Sequence, residues 1–314
     1  LADLFVLVKG GLCHPVRKGY KSAMVRLVHL SDPHLFFAGT HLLEVLDRRL
    51  IGYLRWRFWR GRKHDEALLK TVQEDLLRLV PDQVLITGDL THLGLPEEFK
   101  KARRWLEKLG PPEKVVVVPG NHDAYRWGPW SETFALWEPY FCGEENWEGE
   151  GLAIYFPLVR RINNLVLIGL STACPNFPPL AIGRLGQVQL ERLARILFQT
   201  RGLWRILFLH HPPLPGVTSK RKALLDLEPL NQILREAEPE LILFGHTHRR
   251  YVFSAGKTLV LGASSITSVT PSPLKKAAYF LIEIKGQELS WQERVLVPER
   301  RTFLPAREGY LTKG

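Results

Sequence analysis

Five short apolar runs in this chain each end in a cluster of Asp, Asn or His, and no other feature restricts its fold so tightly. Residues 25–30 (VRLVHL) lead into Ser31-Asp32-Pro33-His34, and residues 83–87 (QVLIT) into Gly88-Asp89. Residues 114–118 (KVVVV) lead, through Pro119, into Gly120-Asn121-His122-Asp123. Residues 205–209 (RILFL) deliver His210-His211-Pro212, and residues 241–244 (LILF) deliver Gly245-His246-Thr247-His248. Sheets of α/β proteins carry their ligand groups at the C-terminal ends of strands. Singly, each cluster has an ordinary explanation: Asp32 as a helix cap, Gly88-Asp89 as a turn, His246 as a structural histidine, His210-His211 as a surface pair. Five together imply strand ends that converge on one site.

Between these runs lie amphipathic stretches at about 64–79, 96–109, 186–199 and 226–237, spaced as helices. Pro96 followed by Glu97 and Glu98 suits a helix start, where proline loses no hydrogen bond and acids meet the positive end of the dipole. Another strand is expected at 165–170, with a hairpin turning at Asn163-Asn164. Beyond residue 250 the pattern becomes short strands at 250–253, 258–262, 278–284 and 289–297, with turns at Ala255-Gly256 and Lys285-Gly286. Alternating β and α units followed by a meander predict two packed sheets with helices outside.

The chain has 314 residues, 45% of them apolar, which suffices for a layered core. No apolar run reaches the roughly 20 residues of a membrane-spanning helix. Cys13, Cys142 and Cys174 are odd in number and lack metal-ribbon spacing, which fits a reducing cytoplasm and no disulfide framework. Residues 1–23 precede the only methionine, Met24, and are expected to be an N-terminal extension outside the fold. Residues 24–314 are then one domain.

The net charge of +11 is unevenly spread. Residues 48–63 (RRLIGYLRWRFWRGRK) hold seven basic residues and no acid, and residues 1–23 contribute +3. Only +1 is left for the rest of the chain, so the protein carries one cationic patch and is not basic throughout. A duplex-tracking nuclease is therefore disfavoured, because nothing outside the patch would neutralise phosphates.

The clustered side chains offer oxygen and nitrogen donors without thiolate, a set suited to Mn²⁺, Fe or Zn²⁺. Two Asp, one Asn and four His supply what a metal pair needs, including a carboxylate to share. Asp-x-His at an extended strand end aims two donors at one point, and glycines beside Asp89, Asn121 and His246 permit sharp turns.

In these blocks, Asp32-x-His34, Gly88-Asp89, Gly120-Asn121-His122-Asp123, His210-x-Pro212 and Gly245-His246-x-His248, the chain resembles the calcineurin-like metallophosphoesterases over about residues 25–262. The resemblance implies a four-layer αββα sandwich of two mixed β-sheets flanked by helices. It also implies two divalent ions, Mn²⁺ before Fe or Zn²⁺. Asp32, His34, Asp89 and His248 would hold one ion; Asp89, Asn121, His210 and His246 would hold the other, with Asp89 bridging. His210 is chosen over its neighbour because the family's ligand stands two residues before the proline, which leaves His211 behind the ligands or facing substrate. Pro33 departs from the leucine common in the family and stiffens its loop.

Two such cations, roughly 3.5–4 Å apart, acidify a bridging water and orient the hydroxide for in-line attack on phosphorus. By the same resemblance His122 would stabilise the transition state and protonate the leaving oxygen, with Asp123 holding its ring.

Substrate choice falls to three insertions, residues 35–63, 124–151 and 213–225. In the first, Leu46, Leu50, Leu54 and Phe58 recur at i, i+4 spacing, with Trp56, Trp59, Arg55 and Arg60 on the other side of the wheel. Arg and Trp together suit a membrane interface, and also phosphate-plus-stacking recognition. The segment resembles that of UDP-2,3-diacylglucosamine pyrophosphohydrolases of lipid A synthesis. The preferred expectation is thus a cytoplasmic enzyme held peripherally on the inner face of the cell membrane, cleaving a lipid-linked phosphodiester or pyrophosphate. Arg55, Trp56, Trp59, Arg60 and His211 would contact substrate or an anionic membrane surface. A soluble 3′,5′-cyclic-nucleotide phosphodiesterase is the alternative, and a non-enzymatic scaffold with a vestigial site is opposed by the complete donor set. Oligomeric state is not legible.

Overall fold

A computed structural model describes residues 24–36, 63–125, 128–145, 147–176 and 180–313. The expected extension, residues 1–23, and residues 48–62 of the cationic stretch lie outside the described residues.

The first sheet is built around β1 (Val25–Leu30), which pairs in parallel with β2 (Gln83–Thr87); β2 in turn pairs in parallel with β3 (Val115–Val118). On its other side β1 meets an antiparallel meander of β10 (Ala278–Lys285), β11 (Glu288–Val297) and β12 (Thr302–Thr312). The second sheet runs β4 (Leu158–Ile162), β5 (Leu165–Leu170), β6 (Trp204–Leu209), β7 (Leu241–Phe244), β9 (Thr258–Gly262) and β8 (Tyr251–Ala255). Its four inner strands are parallel and its two edges antiparallel.

Period-two alternation assigns the layers. In β5, Leu165 and Leu167 enter the core between the sheets, whereas Val166, Ile168 and Leu170 enter a second core beneath the helices. The same split separates Ile206 and Phe208 from Leu207 and Leu209, and Leu241 and Leu243 from Ile242 and Phe244. Both faces of these strands are covered, so they read as unbroken apolar runs. Gly169 permits close approach of the sheets: a Cβ there would lie 2.8 Å from Phe208 and 2.9 Å from Val118.

Helices α4 (Gln187–Gln199) and α5 (Leu227–Ala237) cover the second sheet through Leu193, Ile196, Leu197 and Leu230. Helices α1 (Ala67–Leu79) and α2 (Pro96–Leu109) bury Val72, Leu76, Phe99, Ala102 and Leu106 in a cluster continuous with the core between the sheets. This is the expected αββα sandwich of two mixed sheets. Asp75 on α1 accepts from the Tyr279 hydroxyl and pairs with Arg294, tying that helix to β10 and β11. No described helix is long and apolar enough to cross a membrane.

The second insertion, residues 124–151, begins beside the site, with the Tyr125 ring 5.4 Å from that of His122, and then turns into the core. Phe134, Trp137 and Phe141 are buried, with the short helix α3 (Glu138–Phe141) among them, and the Trp137 indole donates to Phe99 O on α2. Its aromatic residues extend the core.

Candidate metal centre

The loops after β1, β2, β3, β6 and β7 meet at one end of the two sheets, and the turns that aim their side chains are unusual. Nine non-glycine residues among those described have positive φ; five are Asp32, His34, Asp89, His246 and His248. A left-handed residue with a Cβ costs about 1–2 kcal/mol and persists only where tertiary contacts enforce it. Asp32 (φ 53°) and His34 (φ 45°) thus depart from the alternating extended geometry expected of Asp-x-His. Their amides donate to Gly88 O and Asp89 O, at 3.1 and 3.0 Å, which locks the first loop against the second. Two glycines admit this crowding. A Cβ on Gly120 would stand 2.3 Å from Asp89 Oδ1, and one on Gly245 would stand 1.8 Å from Ser31 Oγ.

All seven anticipated donors come together. Asp32, His34, Asp89 and His248 present ligand atoms within 4.8 Å of one another, as do Asp89, His210 and His246. Asn121 Oδ1 joins the second group, 3.2 Å from His210 Nε2. Asp89 Oδ2 belongs to both, at 3.9 Å from His34 Nε2 and 3.3 Å from His210 Nε2.

The arrangement fits a pair of divalent cations. Asp32 Oδ2 accepts from Ser31 Oγ at 2.5 Å and from the His246 amide at 3.0 Å. Oδ1 is buried without a hydrogen-bond partner and lies 3.1 Å from His248 Nε2. A carboxylate oxygen left so is costly unless a cation meets it. His210 Nδ1 donates to Thr87 O at 2.7 Å, and His246 Nε2 donates to Lys222 O at 3.0 Å. Carbonyls only accept, so each ring turns its other nitrogen toward the centre, as a ligating histidine does. The third insertion supplies that Lys222 carbonyl.

Electrostatics agree with the geometry. Burial would raise the Asp89 carboxyl, but His210, His122 and His34 outweigh it and hold it well below the ordinary range. Burial opposes charge on His210, yet the Asp89 and Asp32 carboxylates lift it to about 9. Desolvation, aided by His248 and His122, drives His34 well below the usual imidazole value. Desolvation together with His211 and His210 does the same to His246.

Two expected contacts need correction. His122 is at the centre, with Nε2 4.0 Å from Asp89 Oδ2, but its Nδ1 bonds His92 O at 2.6 Å. The Asp123 carboxylate, expected to hold that ring, instead accepts from the Thr91 amide and hydroxyl and the Gly120 amide, and so fastens the second loop to the third. His211 does not face substrate or membrane. It is fully buried, its Nδ1 is 2.8 Å from Thr172 Oγ1 and its Nε2 3.2 Å from Ala181 O, with its ring against His246. Arg55, Trp56, Trp59 and Arg60 lie outside the described residues. Unanticipated neighbours are His92, stacked on His122, and His64, whose ring centroid is 5.3 Å from that of His34. Their only sequence signal was an imidazole close to a motif without being part of it.

Comparison with known proteins agrees with this geometry. Over 219 residues the chain is 30% identical to a probable cyclic nucleotide phosphodiesterase of Synechococcus sp., covering 68% of this chain and 76% of the other. It is 31% identical over 252 residues to a cAMP/cGMP dual specificity phosphodiesterase of Mycobacterium tuberculosis, covering 78% and 67%. The fold is shared with a purple acid phosphatase from yellow lupin (Lupinus luteus) seeds. Their TM-score is 0.60 at 12% identity, over 93% of this chain and 54% of that one. Residues 25–250, more than half the chain, match the family profile described as calcineurin-like phosphoesterase, and the chain belongs to that family.

Proposed function

We propose that the chain is a metal-dependent phosphodiesterase working through two divalent ions. Asp32, His34, Asp89 and His248 would hold one ion; Asp89, Asn121, His210 and His246 would hold the other. The observation that carries this reading is the position of Asp89 Oδ2, within 4 Å of an imidazole nitrogen in each group. Bound there, a divalent pair supplies positive charge for the phosphoryl oxygens and acidifies water into a nucleophile. Mn²⁺ is the preferred occupant, and Fe or Zn²⁺ also suits the donors.

His122 stands beside this centre with Nδ1 occupied by the His92 carbonyl. Its Nε2 is therefore the working nitrogen, placed to stabilise charge on the phosphoryl group and to give a proton to the departing oxygen. Asp123 and Thr91 act on the frame, holding the loops that carry His122 and Asp89 at fixed separation. Ser31 and the His246 amide turn Asp32 so that its unpaired oxygen faces the cluster.

The favoured substrate class is a cyclic nucleotide, a reading supported by likeness to two phosphodiesterases so named. A lipid-linked phosphodiester or pyrophosphate such as UDP-2,3-diacylglucosamine, met at a membrane surface, is the second reading. It rests on the seven basic residues and four aromatics of residues 48–63. Turnover with Mn²⁺ should be compared on 3′,5′-cyclic AMP, UDP-2,3-diacylglucosamine, bis-p-nitrophenyl phosphate and p-nitrophenyl phosphate. Diester cleavage well above monoester cleavage is expected. Inactivity on every diester would refute the proposal, and preference between the first two compounds decides the substrate class.

A further inference from the structure

Behind the candidate ligands lies a chain of buried polar groups that the reaction itself does not use. His29 sits in β1, which is otherwise apolar except for Arg26 at its start. It is fully buried and stacks on Phe280, with ring centroids 6.3 Å apart. An apolar residue would suit that place better, because a buried imidazole costs stability unless it is bonded. Its Nε2 lies 2.8 Å from Thr87 Oγ1, and its Nδ1 has no partner. Desolvation lowers its pKa to about 3, so the ring is neutral and carries a single N–H.

The direction of each proton in the chain can be worked out. Asp32 Oδ2 can only accept, and Ser31 Oγ is 2.5 Å away, so the Ser31 hydroxyl donates there. Thr87 Oγ1 lies 2.9 Å from Ser31 Oγ and donates to it in preference to the Leu30 carbonyl at 3.4 Å. Thr87 has then spent its proton, so it must accept from His29 Nε2. Three donors thus run one way, from His29 through Thr87 and Ser31 to a carboxylate at the metal centre.

That direction matters because Ser31 has a competing acceptor. The Thr87 carbonyl is 3.1 Å from Ser31 Oγ and also receives His210 Nδ1 at 2.7 Å. A Ser31 proton turned toward Thr87 O would leave Asp32 Oδ2 short of one donor and crowd the bond that orients His210. With His29 donating, Thr87 points its proton at Ser31, and Ser31 points its own at Asp32. Gly245 keeps the space open, since a Cβ there would overlap Ser31 Oγ.

We propose that His29 is a positioning residue for the metal centre. Acting through Thr87 and Ser31, it fixes the Asp32 carboxylate and keeps the Thr87 carbonyl available to His210. The inference rests on the two-metal reading above, and its test measures metal uptake in place of turnover.

The purified 314-residue chain should be titrated with Mn²⁺ by calorimetry after metal removal, with circular dichroism and melting curves to confirm folding. His29→Phe keeps the ring and removes the donor, and should weaken binding about 10-fold, the lower end of what loss of a ligand's outer partner does. His29→Gln places an N–H where Nε2 stood and should restore affinity to within about twofold of wild type. Ser31→Ala should weaken binding comparably, and adding His29→Phe to it should change nothing further, because the chain is already cut. Thr87→Val reads the middle link and serves where His29→Phe does not fold. Wild-type affinity in His29→Phe or in Thr87→Val overturns the relay. So does full multiplication of the His29 and Ser31 effects, or a His29→Gln variant no better than His29→Phe. Wild-type protein that takes up no metal would overturn the two-metal reading itself, a result distinct from all of these.

Discussion

His122 Nδ1 lies 2.6 Å from the carbonyl oxygen of His92, a bond that leaves Nε2 as the nitrogen presented to the metal centre. The side chain is therefore oriented by backbone from a neighbouring loop, and the proposed mechanism gives it the place of a proton donor. His122→Ala should lower kcat by about 10²–10⁴-fold, the range for loss of a positioned proton donor. Metal content by mass spectrometry should stay at the wild-type value. Unchanged kcat would remove His122 from the reaction.

Metal binding should be linked to protons through His210. Its pKa of about 9 means that both ring nitrogens carry protons at neutral pH in the metal-free protein. An incoming ion must displace the proton facing Asp89, so affinity should rise with pH up to about 9. Calorimetry in two buffers of different ionisation enthalpy should show close to one proton released at pH 7 when the site that includes His210 is filled. A heat independent of buffer would contradict this.

Glu98 makes the loop after β2 sensitive to pH from within. Its Oε2 accepts from the amides of His92, Leu93 and Leu95, and the group is fully buried. Burial lifts its pKa to about 7 against the pull of those amides. An acid whose folded pKa is raised binds its proton more tightly when folded. Its contribution is thus complete below about pH 4.5 and is lost as pH rises to about 7, a change of about 3 kcal/mol. Glu98→Gln keeps an acceptor without the charge and should flatten that part of the stability profile, measured by urea melts at pH 5 and pH 8. Asp123, likewise lifted to about 7 by burial and by Asp89, and His210, lifted to about 9, leave a slope of the same sign.

Gly120 should tolerate no side chain. A Cβ would stand 2.3 Å from Asp89 Oδ1 and 2.5 Å from Asp89 N, both parts of the turn that presents the shared carboxylate. Gly120→Ala should cost about 1–3 kcal/mol in stability. It should also abolish uptake of at least one ion, by displacing the donor common to both groups. Mass-spectrometric metal counting on folded protein checks this, and two tightly held ions would contradict it.

The lipid-linked reading makes its own prediction. Anionic liposomes should sediment the protein, and charge reversal by Arg→Glu at positions 55, 57 and 60 should release it. Failure of the wild type to sediment removes the membrane reading and leaves the cyclic-nucleotide one standing.

Much of this site was legible because strands end abruptly in chemistry. Asp32, Asp89, Asn121, His210 and His246 each follow an apolar run within three residues, and the sheet brings such ends together. What escaped is what depends on tertiary contact. The role of Asp123 could not be read from adjacency to His122, because a tight turn sends neighbouring side chains to different partners. The same applies to His211, whose burial depends on Thr172 and Ala181 from another loop. His29 carried a signal, a histidine in an apolar strand, but its partner Thr87 is distant in sequence. In the fold, β12 was missed because Pro305 and Gly309 interrupt its pattern. Both are tolerated at a sheet edge, where Pro305 adjoins the register shift opposite Glu293/Arg294 and Gly309 leaves room for the Trp291 ring.

Asp32, His34, Asp89 and Asn121 follow strands of one sheet, whereas His210, His246 and His248 follow strands of the other. Any ion they share is then a rivet through the whole sandwich as well as a reagent. Chelation should lower the melting temperature along with the activity, by an amount set by how tightly each ion is gripped. A melting curve taken across a series of divalent metals would therefore rank the protein's own metal preference before any substrate is known.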